Sequence, residues 1–369
     1  MNSSRPLRLG MIGCGQISTR FFNQAADLDG VTFVATCAAH VETAEAKARE
    51  RGCERWTADY RELLSWPEVD GVVITTPHQM HAIMATDAVR AGKHVLIEKP
   101  MATRWDQAQA LVAAVEAAGV TAVALPYDHA PVLLAGLSYL REEIIGKITA
   151  VEAELNIPGP PRSNWYYAKE AEGGAMLDTA PYALSRIASV MGPATRVAAF
   201  TGTLIPKRLT GDGGRVLSAV DDNVTILLEY AGGQQAVMRT CWAYSYSQNG
   251  TVVHGRHGDV FMNEFGRPLV IHTTGAPPAE AEPVDYLAIK GCYAPTVSPG
   301  NETILGHFVH CIRTGERPRC NVWQACHVVE QMMKAYESSR TGRILELETT
   351  FTPWWTAPTG IFDLTTDWL

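Results

Sequence analysis

The stretch from Gly71 to Met101 constrains the fold of this chain most tightly, because it reads as strand, turn, helix, strand and then a charged tripeptide. Val72, Val73 and Ile74 form a short β-branched run that stops at Thr75-Thr76-Pro77, the pattern of a buried parallel strand. From His78 to Ala91 the apolar residues Ile83, Met84, Ala88 and Val89 recur on one helical stripe, and Gly92 is placed to end it. A second strand is expected from His94 to Ile97. It delivers Glu98, Lys99 and Pro100 to its carboxyl end, the edge of an open α/β sheet where ligands bind. A lysine at that edge is better placed for chemistry than for surface solvation.

The same alternation runs through the residues on either side. Leu7 to Ile12 reads as a strand that breaks into Gly13-Cys14-Gly15-Gln16-Ile17-Ser18. Two glycines one residue apart let the backbone turn tightly and approach a pyrophosphate, whose charge rests on the amino end of the helix that follows. Ser18 stands where a third glycine is usual, and is small enough for helix and strand to pack closely. The next strand, Val31 to Cys37, runs into Ala38, Ala39 and His40 with neither an acid nor an arginine. An acid there would bind the ribose hydroxyl of NAD, and a strong cation would hold the 2′-phosphate of NADP. With only Ala38, His40 and the more distant Lys47 on hand, the choice between NAD and NADP stays open. Helices over Val41–Arg51 and Arg104–Ala118 and a strand over Val120–Leu125 complete the series. Residues 1–126 therefore predict a doubly wound parallel sheet that binds a dinucleotide.

After Pro126 the rhythm changes. A helix over Ala130–Glu143 is followed by a strand over Ile148–Leu155, a loop rich in proline and aromatics over Pro158–Lys169, and a single helix over Ala175–Met191. Strands are then expected over Arg196–Thr203, Asn223–Tyr230, Gln235–Tyr244, Thr251–Val253 and Val260–Met262, with Gly-Gly and Asn-Gly turns between several. Strands without intervening helices point to an α+β domain over residues 127–369, built on a large, open, mostly antiparallel sheet. Helices over Gly300–Thr314 and Val322–Thr341 are expected to pack back against it.

Composition removes several function classes. The 369 residues allow two domains of ordinary size, and a hydrophobic content of 46% sets disorder aside. A net charge of -8 argues against a nucleic-acid partner or an anionic membrane surface. Met1 to Arg8 is polar, and no run of about 18 apolar residues occurs, so a cytoplasmic location is expected. Eight cysteines include no Cys-x-x-Cys pair. His307, His310 and Cys311 could share one helix face, but they lack a carboxylate partner and read as packing or surface residues, so no metal is expected.

In these motifs the chain resembles the glucose-fructose oxidoreductase / inositol dehydrogenase (Gfo/Idh/MocA) family of NAD(P)-dependent oxidoreductases. The resemblance rests on Gly13-Cys14-Gly15, on Thr75-Thr76-Pro77 with His81, on Gly92-Lys93-His94-Val95 and on Glu98-Lys99-Pro100. It continues through Gly173-Gly174-Ala175-Met176-Leu177-Asp178 and Ser339-Arg340-Thr341-Gly342-Arg343. It implies hydride transfer between a nicotinamide and a secondary alcohol or ketone of a sugar, aminosugar, cyclitol or glycoside. The alternative is an NAD-recycling glycoside hydrolase that oxidises transiently, eliminates and returns the hydride. A binding protein that only senses the dinucleotide is disfavoured, since Lys99, Asp178 and Tyr182 are all present.

The resemblance also implies roles. Cofactor contacts fall on Gly13, Cys14, Gly15, Gln16, Ile17, Ala38, His40, Thr75, Thr76, Pro77, His78, His81, Glu98 and Lys99. In the family a lysine and an Asp-x-x-x-His pair surround the carbinol; here the pair reads Asp178 to Tyr182, with tyrosine in the histidine's place. The glucose-fructose oxidoreductase and dihydrodiol dehydrogenase branches are similar in this respect. A phenol with a pKa of about 10 is a poor base until a neighbouring ammonium stabilises the phenolate. Tyr182 is then the acid/base, Lys99 tunes it and binds substrate oxygen, and Asp178 orients the substrate hydroxyl. His129, Trp165 and Tyr166 are placed on the substrate side, where the two aromatics either stack on a sugar face or cover the core. Glu172 and Asp222 would suit a polyhydroxylated or amino-bearing ring. A homodimer or homotetramer through the open sheet is likewise implied.

Overall fold

The computed structural model describes residues 5–124, 145–160, 164–169, 172–210, 213–262, 269–273, 287–289 and 303–353, with single positions between 133 and 140. The chain divides into two compact units, Met1–Pro126 with Val297–Val329, and Tyr127–Thr296 with Glu330–Leu369.

The first unit opens with β1 (Leu7–Ile12), α1 (Ser18–Ala26), β2 (Val31–Cys37), α2 (Val41–Arg51), β3 (Arg55–Thr57) and α3 (Tyr60–Ser65). It continues with β4 (Gly71–Ile74), α4 (His81–Arg90), β5 (His94–Ile97), α5 (Trp105–Ala118) and β6 (Ala122–Ala124). The strands form one sheet in the order β3-β2-β1-β4-β5-β6, every pair parallel. The chain winds outward from β1 to β3 and then returns to the other side of β1 at β4. The loops after β1 and β4 therefore leave in opposite directions, which opens a crevice at the carboxyl ends of these two strands. All four residues of β4 are buried, as an apolar run covered on both faces requires. The helix expected from His78 begins as a 3-10 turn, His78–Met80, and turns α-helical only at His81.

The second unit carries β7 (Ile148–Asn156), α6 (Ala175–Asp178), α7 (Ala180–Met191) and β8 (Arg196–Gly202), then a small hairpin of β9 (Lys207–Leu209) and β10 (Arg215–Leu217). Strands β11 (Asn223–Glu229), β12 (Gln235–Cys241), β13 (Gln248–Gly255), β14 (Gly258–Met262), β15 (Leu269–Thr273), β16 (Leu287–Ile289) and β17 (Leu345–Glu346) follow. Among the described residues they build a sheet ordered β16-β15-β14-β13-β7-β12-β11-β8-β17. Only β7 and β12 run parallel; the other neighbours are antiparallel. Helix α7 packs on β7, β12 and β13, and every residue of it except Tyr182 is buried. Strand β13 is longer than the expected Thr251–Val253, because pairing with β7 overrides the poor strand propensity of Asn249 and Gly250.

Two expectations are corrected here. The single helix over Ala175–Met191 is broken at Thr179 into α6 and α7. Pro181 explains the break: it has no N–H for the carbonyl of Leu177, so it is tolerated only in the first turn of a new helix. The helix expected over Gly300–Thr314, α8 (Ile304–Thr314), does not cover the second sheet. Its apolar stripe of Ile304, Leu305, Phe308 and Ile312 lies in one core cluster with Phe21 and Phe22 of α1 and with Leu9 and Met11 of β1. The adjoining Cys320 carbonyl accepts from the Ala124 N–H at 2.9 Å, capping the β6 edge of the parallel sheet. Helix α9 (Val322–Thr341) begins in the first unit and ends in the second.

Candidate active site

The candidate site begins where β1 ends. Gly13 sits at φ +99°, and a Cβ on it would lie 2.7 Å from the Thr75 carbonyl carbon and oxygen, so the loops after β1 and β4 touch backbone to backbone. Hydrogen bonds fix this approach. The Gly13 N–H donates to the Cys37 carbonyl at 2.8 Å, and Thr75 Oγ1 donates to the Gly13 carbonyl at 2.7 Å. Gly15 is the opposite case, since a Cβ there would meet nothing within 4 Å. The helix α1 that follows has no side-chain cap and no acid in its first turn; its first three N–H groups close turns onto the Gly15, Gln16 and Ile17 carbonyls at 3.1–3.3 Å, so what it presents to an anion is the positive end of its dipole.

At the end of β2, Ala38 is half-buried and His40 is exposed as the cap residue of α2. The Lys47 ammonium is paired with Glu50 at 2.7 Å. Burial pushes the Cys14 thiol up to about 11 and the Cys37 thiol to about 12, so both are protonated at neutrality and neither is a nucleophile.

The ends of β4 and β5 are tied together by His81. Its Nδ1 lies 2.8 Å from the Pro100 carbonyl and its Nε2 2.7 Å from the Thr76 carbonyl, with the ring 1% exposed. Both nitrogens face backbone carbonyls, and the neutral ring, with a single N–H, donates to one of the two. Burial pushes its imidazole down to about 4, against the pull of the two carbonyls. His78 is also buried, edge-on to His81 with ring centroids 5.9 Å apart. Glu98 and Lys99 are 6% and 9% exposed, and the Lys99 N–H donates to the Glu98 carboxylate at 3.1 Å. The peptide bond from Lys99 to Pro100 is cis.

In the second unit Asp178 closes the single turn of α6 and is buried, while Tyr182 lies in the first turn of α7 and is half-buried. Thr179 between them is anchored from the sheet. Its Oγ1 donates to the Ala175 carbonyl at 2.9 Å, lies 2.7 Å from Thr240 Oγ1, and accepts from Trp242 Nε1 at 3.1 Å. This anchor had no signal in the sequence beyond the threonines themselves. Tyr166 is half-buried and its carbonyl accepts from the Gly174 N–H at 3.0 Å; Trp165 lies in a 3-10 turn, Asn164–Tyr167, and its side chain is outside the described residues, as is all of His129.

Asp222 is corrected to a structural role. It is fully buried, paired with Arg208 at 2.6 Å, and accepts the N–H groups of Leu204 and Ile205. The histidines of α8 have other partners: His307 Nε2 accepts from the Arg319 N–H at 3.0 Å, and His310, against the expectation that it lacks a carboxylate, lies 3.0 Å from Glu316; among the described residues no group of three potential ligands is assembled.

Residues 7–125 match the model of an oxidoreductase family with an NAD-binding Rossmann fold, and residues 138–261 match the Gfo/Idh/MocA C-terminal domain. The chain belongs to the Gfo/Idh/MocA family. A trans-1,2-dihydrobenzene-1,2-diol dehydrogenase of Sus scrofa is 31% identical over 68% of this chain and 72% of its own. A dTDP-3,4-didehydro-2,6-dideoxy-alpha-D-glucose 3-reductase of Actinomadura kijaniata is 26% identical over 86% of this chain and 91% of its own. A levoglucosan dehydrogenase solved with NADH and L-sorbose shares the fold, with a TM-score of 0.81 at 22% identity over 93% of this chain and 99% of that one.

Gfo/Idh/MocA membership makes the protein an NAD-binding oxidoreductase acting on CH–OH groups. The residues of its Rossmann unit fit such a cofactor. The open space over Gly15 leaves room for a pyrophosphate, the amino end of α1 carries no acid to repel it, and Thr76 Oγ1 is buried with no hydrogen-bond partner among the described residues. No helix among the described residues is long and apolar enough to cross a membrane.

Proposed function

We propose that this protein is an NAD(P)-dependent dehydrogenase or reductase acting on a secondary alcohol or ketone of a sugar, aminosugar, cyclitol or glycoside in the cytoplasm. The observation that supports it most is the placing of Lys99, a buried lysine, on the same sheet edge as the open space over Gly15. The division of labour we propose is dinucleotide binding by residues 1–126 and substrate binding by residues 127–369. Gly13, Gly15 and the start of α1 hold the pyrophosphate, and Thr76 donates to the nicotinamide end. The bound nicotinamide supplies the hydride acceptor or donor.

Removal of a hydride from a carbinol must be matched by loss of the hydroxyl proton. In our reading Tyr182 takes or gives that proton, Lys99 binds the same oxygen and stabilises the phenolate, and Asp178 orients the hydroxyl. The names of the relatives support a sugar-like substrate. The 2′ preference is settled by titrating NADH and NADPH separately. NADH and NADPH formation against a panel of sugars, inositols and aminosugars tests the activity, and aglycone release without lasting NADH would favour the hydrolase instead. If Tyr182→Phe kept near wild-type turnover while Lys99→Ala abolished it, the lysine would be the base.

The face of the second sheet away from α7 exposes Phe200, Leu227 and Phe261, with Leu227 flanked across the ladder by Ala198 and Val237. We assign this face to self-association as a dimer or tetramer. Leu227→Lys is expected to lower the mass seen by sedimentation, and an unchanged mass refutes the assignment.

A further inference from the structure

Helix α6 is a single turn of four residues, far too short to hold itself, since a helical nucleus is unfavourable on its own. Its position is imposed from outside, largely by one carboxylate. Asp221, just before β11, meets the start of α6 twice: its carbonyl accepts from the Ala175 N–H at 2.9 Å and its Oδ2 from the Met176 N–H at 2.7 Å. The other oxygen, Oδ1, accepts from the Tyr336 hydroxyl at 2.6 Å. There is no slack in this arrangement. Gly174 sits at φ +105°, and a Cβ on it would lie 2.8 Å from Asp221 Oδ1 and 3.2 Å from Val220 Cβ.

Tyr336 lies on α9, which is itself pinned to β8. Ser338 Oγ accepts from the Ala199 N–H at 3.1 Å, and Ser339 Oγ accepts from the Thr201 N–H at 2.9 Å. A continuous set of short polar contacts therefore runs from β8 through α9, Tyr336 and Asp221 to α6, all within the second unit. Burial and the adjacent carboxylate push the Tyr336 phenol well above its ordinary range, so it remains a donor at any working pH. Nothing in the sequence brought residues 221 and 336 together with 178.

We propose that Asp221 and Tyr336 are positioning residues that hold Asp178 in register for the reaction, acting through the backbone of α6. The inference rests on the reading of Asp178 as a catalytic residue. A small displacement of a positioned group is enough to cost roughly a hundredfold in rate. Tyr336→Phe removes the donor and keeps the ring. Asp221→Asn keeps the size of the side chain and one acceptor oxygen, so one of the two donors, the Met176 N–H or the Tyr336 hydroxyl, is left facing an NH2 that cannot accept from it.

The test compares both variants with Asp178→Asn by kcat, KM for the cofactor, melting temperature and hydrogen exchange of residues 175–182. Tyr336→Phe is expected to lower kcat roughly ten- to hundredfold, to leave the cofactor KM unchanged, and to raise exchange selectively at 175–182. Either variant suffices if the other does not accumulate. A variant that lowers the melting temperature but keeps wild-type kcat, while Asp178→Asn abolishes activity, overturns the proposal and leaves the catalytic reading intact. If Asp178→Asn is itself fully active, the catalytic reading fails and the proposal falls with it.

Discussion

Replacing each of the two glycines after β1 by alanine should separate what the loop does for the fold from what it does for the cofactor. At Gly13 the new methyl must enter a residue at φ +99°, a conformation that costs an L-residue about 1–2 kcal/mol. It would also press to 2.7 Å against the Thr75 carbonyl, backbone that cannot swing aside, and overpacking of this kind costs about 1–3 kcal/mol. The sum, about 2–5 kcal/mol, is a large part of the roughly 5–15 kcal/mol that holds a domain folded. At about 2–4 °C per kcal/mol, Gly13→Ala should lower the melting temperature by roughly 4–20 °C. Gly15 lies outside the left-handed region and its methyl would meet nothing within 4 Å. Gly15→Ala should therefore be neutral, or stabilising by about 0.4–1 kcal/mol through the unfolded chain. Its methyl does occupy the space assigned to the pyrophosphate, and NADH binding should weaken at least tenfold, about 1.4 kcal/mol. Differential scanning calorimetry and NADH fluorescence titration read the two effects separately. If Gly15→Ala binds NADH as tightly as the wild type, the pyrophosphate does not lie over Gly15; if Gly13→Ala melts normally, the contact with Thr75 is not rigid.

Three further outcomes follow from buried groups. His81→Leu leaves the Thr76 and Pro100 carbonyls without the imidazole, and should cost about 1–3 kcal/mol for the hydrogen bond lost, read as a lower urea midpoint. His81 and His307, pushed down from 6.5 to about 4 and about 3 by burial, bind protons in the unfolded chain before they do so in the fold. Stability from this source is intact above pH 6.5 and should fall by up to about 1.4 kcal/mol per pH unit per histidine as the pH drops from there towards 4; proton uptake on unfolding that is unchanged in His307→Gln would refute it. Arg208→Leu strands the buried Asp222 carboxylate and should cost about 3–5 kcal/mol in equilibrium unfolding at neutral pH, whereas a change below about 1 kcal/mol would mean that water reaches the site.

The Rossmann unit was legible in the sequence because its determinants are local. Gly13 and Gly15 follow a strand and open a helix, and the apolar run Val72–Ile74 ends where the turn begins, so each element could be placed from its neighbours. Most of what escaped was set by distant partners, with one local exception. The break at Thr179 follows from Pro181, a signal present in the sequence but outweighed there by the apolar spacing of Ala175–Met191. The return of α8 to the first core depends on Phe21 and Phe22, nearly three hundred residues earlier in the chain, and no periodicity within α8 names the surface that will cover it. Asp222 looked like a ligand for a polyhydroxylated ring because a carboxylate's role depends on whether an arginine fills its site. Arg208 does so.

The candidate residues of the two units thus differ in what holds them, and this explains why the cofactor class could be read and the substrate could not. The proposed dinucleotide cradle is made chiefly of backbone: the amino end of a helix, a glycine that admits a close approach and another that leaves room. Such a surface tolerates few alternatives, so small residues at fixed spacing suffice to identify it. The environment of Asp178 and Tyr182 is made of side chains from separated segments, Thr240 and Trp242 on one side and Asp221 and Tyr336 on another. Side chains in such a network can change together without disturbing the sheet beneath them. A fold of this kind can keep one redox partner while its second unit is refitted for a different alcohol, and substrate preference should therefore respond to substitutions around α6 that leave NADH affinity untouched.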